Sequence, residues 1–149
     1  MKVYKLMHRR HIEYKLHTGE WVTDNRTCGF FRTAESAESA KAMLLEKPGF
    51  RDFPEDFTID VCEVSAETDA VYLVEHSYYI IDDRTDNIVE VGVFATESEA
   101  MTAAAEYEAT ARFPVGSHSW DEDFDIDNYL SVAEYSLDVT EFTDGFVLE

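Results

Sequence analysis

Lysine is absent after Lys47, and the 149-residue chain sets only 12 Lys plus Arg against 32 Asp plus Glu, a formal charge of −20. So acidic a surface repels phosphate backbones and anionic membranes, so direct nucleic-acid binding and membrane association are not expected. Cysteine is nearly missing as well. Cys28 and Cys62 make neither a disulfide framework nor a zinc set and read as small core residues of a reducing compartment. Long apolar runs are also lacking: residues 71–74 and 78–81 are each broken within a few positions by Glu or Asp, far short of the ~20 residues of a membrane span. Met1 is followed at once by Lys2, Lys5, Arg9 and Arg10 with no apolar h-region, so no signal peptide is read and a cytoplasmic location is expected. There is no Gly-rich phosphate loop and no His-x-x-x-His metal spacing, and no cofactor is expected.

What is present suffices for a core. Apolar residues make up 45% and aromatics 13%, enough for one compact domain or two very small ones. An internal repeat organises them. Val3-Tyr4-Lys5-Leu6-Met7-His8 reappears as Val71-Tyr72-Leu73-Val74-Glu75-His76, and Gly29-Phe30-Phe31-Arg32-Thr33 as Gly92-Val93-Phe94-Ala95-Thr96. Phe57-Thr58-Ile59-Asp60 then matches Phe124-Asp125-Ile126-Asp127, in the same order.

Each copy reads as two strands, a helix and a third strand. The β-branched and aromatic runs at 3–7 and 28–31, and at 71–81 and 89–94, predict strands, with loops over 17–26 and 82–87. Thr96-Glu97-Ser98-Glu99 is a capping box. Ala100, Ala103, Ala104 and Tyr107 share a helical face, as do Ala37, Ala40 and Leu44; helices are predicted over 34–46 and 97–111. Pro48-Gly49 and Pro114 with Gly116 stop them. Phe57, Ile59 and Val61 alternate with Thr58 and Asp60, the period of a strand with one buried face. A right-handed crossover lays the third strand beside the first, in the order 2-1-3. The predicted fold is α+β: tandem duplicated β-β-α-β units sharing one core, a mixed sheet with two helices. Residues 1–68 form the first unit, 69–138 a second and strongly acidic one, and 139–149 a docked C-terminal tail.

The same residues carry a resemblance. Val-Tyr-Leu-Val-x-His, Gly-x-Phe-x-Thr, a helix, Pro48-Gly49-Phe50-Arg51-Asp52-Phe53-Pro54 with Phe57 and Ile59-Asp60, and Thr140-Glu141-Phe142-Thr143-Asp144-Gly145-Phe146 together resemble a small uncharacterised domain of bacteria and phages. Members usually carry one copy; this chain has two, places Phe142 where Trp is common and lacks the Pro-Gly-Phe-Arg-Asp run in its second copy. The resemblance implies the strand and helix order and no activity.

Charge is partitioned unevenly. Residues 1–68 hold 10 Lys plus Arg and 12 Asp plus Glu, net −2, whereas 69–149 hold 2 and 20, net −18. A general adaptation for solubility acidifies both copies of a repeat alike, so one-sided acidification points to a specific surface. The densest carboxylates are Asp121, Glu122, Asp123, Asp125 and Asp127. On a strand with Phe124 and Ile126 inward, the last three face outward at ~6.7 Å intervals. Asp82, Asp83 and Asp86 extend this row, which offers a basic protein a track like that of a nucleic-acid backbone. A competing pattern is calcium: Asp123, Asp125 and Asp127 fall at positions 1, 3 and 5 of an EF-hand loop and Glu134 at position 12, though Asn128 replaces the glycine at position 6.

The leading expectation is a non-enzymatic acidic inhibitor of the toxin-immunity or phage anti-defence kind, acting by charge mimicry on a basic, nucleic-acid-binding protein. The rivals are a small enzyme with a cleft around His8 and His76, and a calcium-binding or scaffold module. Residues 1–32 hold seven Lys plus Arg and three acids, which leaves room for a homodimer.

Overall fold

The computed structural model describes residues 1–13, 21–80, 85–110, 119–121 and 124–147. They form a mixed α+β protein whose contacts divide the chain into two compact units. The first comprises Met1–Arg10, Asp24–Val71 and Tyr135–Glu149, the second His11–Thr23 and Tyr72–Glu134. Among the described residues no helix is long and apolar enough to cross a membrane.

The first unit is built on most of strands β1 (Lys2–Glu13) and β2 (Trp21–Phe31) and on β3 (Phe57–Glu63), in the hydrogen-bonded order β3-β1-β2. β1 and β3 run antiparallel, from Lys2 opposite Glu63 to His8 opposite Phe57. Helix α1 (Ala34–Leu44) starts where Thr33, in extended backbone, accepts the Ser36 N–H at 3.1 Å. Its Ala37, Ala40 and Leu44 are buried at spacings of three and four. They pack with Leu6, Cys28, Phe31, Phe50 and Phe57, and Tyr4, Leu45, Ile59 and Phe146 flank that core.

The C-terminal segment docks on this unit through turns rather than a strand. The Asp138 and Glu141 N–H groups donate to the carbonyls of Phe30 and Cys28, each at 2.8 Å, and the Phe146 N–H donates to Pro48 at 2.9 Å. The first two bonds satisfy carbonyls in the last residues of β2. Side chains fix the same segment. The Arg32 guanidinium donates to Asp138 at 2.5 Å and Asp69 at 2.6 Å, and the Arg26 guanidinium lies 3.6 Å from the centre of the Phe146 ring.

Desolvation pushes the Asp138 carboxyl up, but hydrogen bonds from the Arg32 backbone and guanidinium and the Arg32 charge together hold it below its ordinary 3.8. A carboxyl lowered in the folded state contributes stability above its unfolded pKa of about 3.9 and loses it as pH falls through the folded value. Asp138→Asn tolerates the positive φ of 61° at this position. Urea midpoints measured from pH 6 downward are therefore expected to fall more steeply below about pH 4 for the native chain than for Asp138→Asn.

The second unit uses most of β4 (Ala70–Ile80) and β7 (Phe124–Ser136), with β5 (Thr85–Phe94), α2 (Glu97–Thr110) and β6 (Ser119–Asp121), in strand order β5-β4-β7-β6. β4 and β5 are antiparallel, from Tyr72 opposite Phe94 to Ile80 opposite Thr85, with an irregularity at Val74/Glu75. Thr96 accepts the Glu99 N–H at 3.2 Å, while its hydroxyl donates to the Glu99 carboxylate at 3.0 Å. The core is small: Val74, Ala100 and Ala104, with Tyr72, Val91, Phe94, Leu130 and Val132 against them.

Both expected hairpin loops are shorter than the sequence indicates. Trp21–Arg26 and Thr85–Asn87 are strand, because the ladders continue into polar residues whose backbone groups find partners across the sheet. Residues 17–20, 81–84 and 111, also named in those expectations, lie outside the described residues.

Candidate functional site

Among its described residues the second unit contains no Lys or Arg. Glu90, Glu97, Glu106, Glu108 and Glu134 are exposed. Helix α2 carries Glu97 and Glu99 in its first turn, where they favour the helix dipole, but has no basic residue in its last turn. Glu108 opposes the dipole there, at a cost of roughly 0.3–1 kcal/mol. Helix α1, by contrast, has Lys41 in its last turn. The negative field acts on Tyr72. Desolvation, then the Glu134 and Glu97 carboxylates, push its hydroxyl above the ordinary value of 10, so β4, β7 and the start of α2 meet around that hydroxyl. Sequence spacing does not reveal this grouping, because its members are 25 and 37 positions apart along the chain.

Four cations of the first unit are engaged in its fold. Arg32 holds Asp69 and Asp138, Arg26 covers Phe146, Arg10 lies 4.3 Å from the Phe53 ring centre, and Lys5 is buried.

Of the acidic row named from the sequence, Asp82, Asp83, Glu122 and Asp123 lie outside the described residues. The structure places the backbones of Asp86 on β5, opposite Tyr79, and of Asp121 on β6, opposite Phe124. Asp125 and Asp127 fall at alternate positions of β7, with Asp125 opposite Trp120. This segment is not the loop that the calcium pattern requires. Phe124–Ser136 is strand, and seven strand steps separate Asp127 from Glu134 by roughly 23 Å, too far for one cation. Among the described residues no three His, Cys, Asp or Glu side chains converge to hold a metal.

His8 and His76 are both buried. The His8 Nε2 lies 3.0 Å from the Phe53 carbonyl, and its ring is enclosed by Phe50, Phe57 and Phe146 at 4.8–5.7 Å. The His76 Nδ1 lies 2.7 Å from the Tyr107 hydroxyl. Each ring bonds within its own unit, as a packed histidine does. Burial also pushes the Cys28 thiol up to about 12, against the lowering effect of Arg26 and a hydrogen bond with His8, so Cys28 is held as the unreactive thiol.

A groove of about 350 Å³ runs beside α2, lined by Phe94, Ser98, Glu99, Thr102, Ala103 and Glu106. Its aromatic wall depends on Gly92, where an added Cβ would lie 2.8 Å from the Phe94 ring. No family model matches the chain, and neither a curated protein nor a solved structure is significantly similar to it.

Proposed function

We propose that the chain is a non-enzymatic acidic binding protein that inhibits a basic, nucleic-acid-binding protein by presenting it with a phosphate-like array of carboxylates. The observation that carries this reading is the charge partition, 2 Lys plus Arg against 20 Asp plus Glu over residues 69–149, with Glu90, Glu97, Glu106, Glu108 and Glu134 of the second unit exposed. An acidic surface with few internal counter-ions keeps most of its field for a partner and accelerates encounter with a positive surface. The buried state of His8 and His76 favours binding over catalysis, since neither ring is presented to a substrate.

In this reading the two units are copies of one β-β-α-β ancestor. Val3, Lys5, Leu6 and His8 are buried and Tyr4 and Met7 half-buried; Val71, Leu73, Val74, His76, Tyr72 and Glu75 repeat that order position for position. Thr33 and Thr96 cap their helices in the same way. One copy kept a near-neutral surface while the other became an anion.

The test is competition. A protein captured on this chain from its native cells should lose its nucleic acid as the chain is added, one for one, and the displacement should weaken as salt rises. A captured protein that keeps its nucleic acid while bound to the chain overturns the proposal.

A further inference from the structure

Net charge draws a basic surface in but selects no particular side chain, whereas the groove beside α2 has a narrower chemistry. Its lining combines one aromatic ring, Phe94, with the Glu99 and Glu106 carboxylates seven residues apart on the helix and the small Ala103 between them. The groove, about 350 Å³, is shallow and open to solvent, so what it can take is a side chain laid in from the surface. Phe94 sits against Gly92, so any larger residue there would push the ring from its place.

We infer that this groove receives an arginine side chain of the basic partner, its guanidinium over the Phe94 ring and paired with the Glu106 carboxylate. The inference rests on the acidic-inhibitor reading and names where, and by which residue type, the partner is gripped. A planar guanidinium stacks on an aromatic face and forms directed bonds to a carboxylate; a lysine ammonium, compact and strongly hydrated, gains less from the ring. The arginine stem lies along Ala103 and Thr102, as long cationic side chains lie along apolar surface while their charged ends reach polar groups. Charge complementarity favours a cationic side chain, since residues 69–149 hold 20 Asp plus Glu against 2 Lys plus Arg and Glu106 is exposed.

The probes are acetylated tetra-arginine and tetra-lysine amides, titrated into the full-length isotope-labelled chain and followed by NMR at low salt. Tetra-arginine should shift resonances centred on Phe94 and the 98–106 face and bind roughly two- to five-fold more tightly than tetra-lysine. Glu106→Gln should weaken tetra-arginine binding by about five-fold, whereas Glu108→Gln, which removes the same charge from an exposed residue outside the groove, should change it by less than about two-fold. Phe94→Leu should abolish the preference for arginine; if that variant does not fold, the pair of glutamate variants still decides. Equal affinities for the two peptides, or equal losses at Glu106 and Glu108, overturn the inference. Binding spread over the acidic face and sensitive to salt would leave the inhibitor reading standing while the groove falls. No binding of either peptide at low salt would remove both.

Discussion

Replacing Gly145 with alanine is expected to destabilise the first unit by roughly 3 kcal/mol or more, measured as a lowered urea midpoint. Gly145 has φ near +80°, a region that costs an L residue about 1–2 kcal/mol. The larger part is steric. A Cβ there would lie 2.2 Å from the Pro48 carbonyl oxygen and 2.9 Å from its nitrogen, both backbone atoms, and the same carbonyl accepts the Phe146 N–H. Relief therefore requires the tail to withdraw, taking Phe146 from between Arg26 and the His8 cluster. The bond from Glu141 to the Cys28 carbonyl belongs to the same docked segment, so a thiol reagent should modify Cys28 faster in Gly145→Ala than in the native chain. Half-buried Cys62 serves as the internal reference. Gly92→Ala is the contrasting case: its new Cβ would meet only the outer atoms of the Phe94 ring, and a cost near 1 kcal/mol is expected. Equal costs at the two glycines would show that the tail is not locked by backbone approach.

Legibility in the sequence follows how local each feature is. Helix α1 is readable because Thr33, Ala37, Ala40 and Leu44 signal its cap and buried face within a dozen residues. The extension of β2 back to Trp21 is not readable, since Asp24, Asn25 and Arg26 look like a loop and only cross-strand pairing makes them strand. The docking of the tail is expected from the sequence but its partners are not, because its bonds run from backbone N–H groups to carbonyls of Cys28, Phe30 and Pro48, and only Gly145 marks the close approach. At the candidate site, composition alone reveals the acidic half. The groove is hidden because Phe94 and Glu106 meet only when α2 folds back on β5. The calcium pattern shows the opposite failure, in which residue types match a loop while the backbone is extended.

Changing Asp123, Asp125 and Asp127 together to asparagine should slow association with the basic partner by roughly ten-fold at low salt while leaving the fold intact. Asparagine keeps shape and polarity and removes three charges, and charges of a row expected from the sequence to face outward contribute little to stability. Long-range attraction acts before contact, so the change belongs mainly to the association rate, with a smaller effect on dissociation. Raising salt to about 0.5 M shortens the Debye length to a few Å and should bring the native and variant rates together. The control lies in the first unit. Asp60 is exposed on β3 with Lys5 as its cross-strand neighbour, and Asp56 is half-buried a few residues beyond Arg51. Neutralising that pair should change the rate far less, because local cations already cancel much of their field. Stopped-flow rates for the two variants over a salt series separate the possibilities: losses of equal size, or losses indifferent to salt, would mean that the second unit's carboxylates solubilise the chain without guiding a partner.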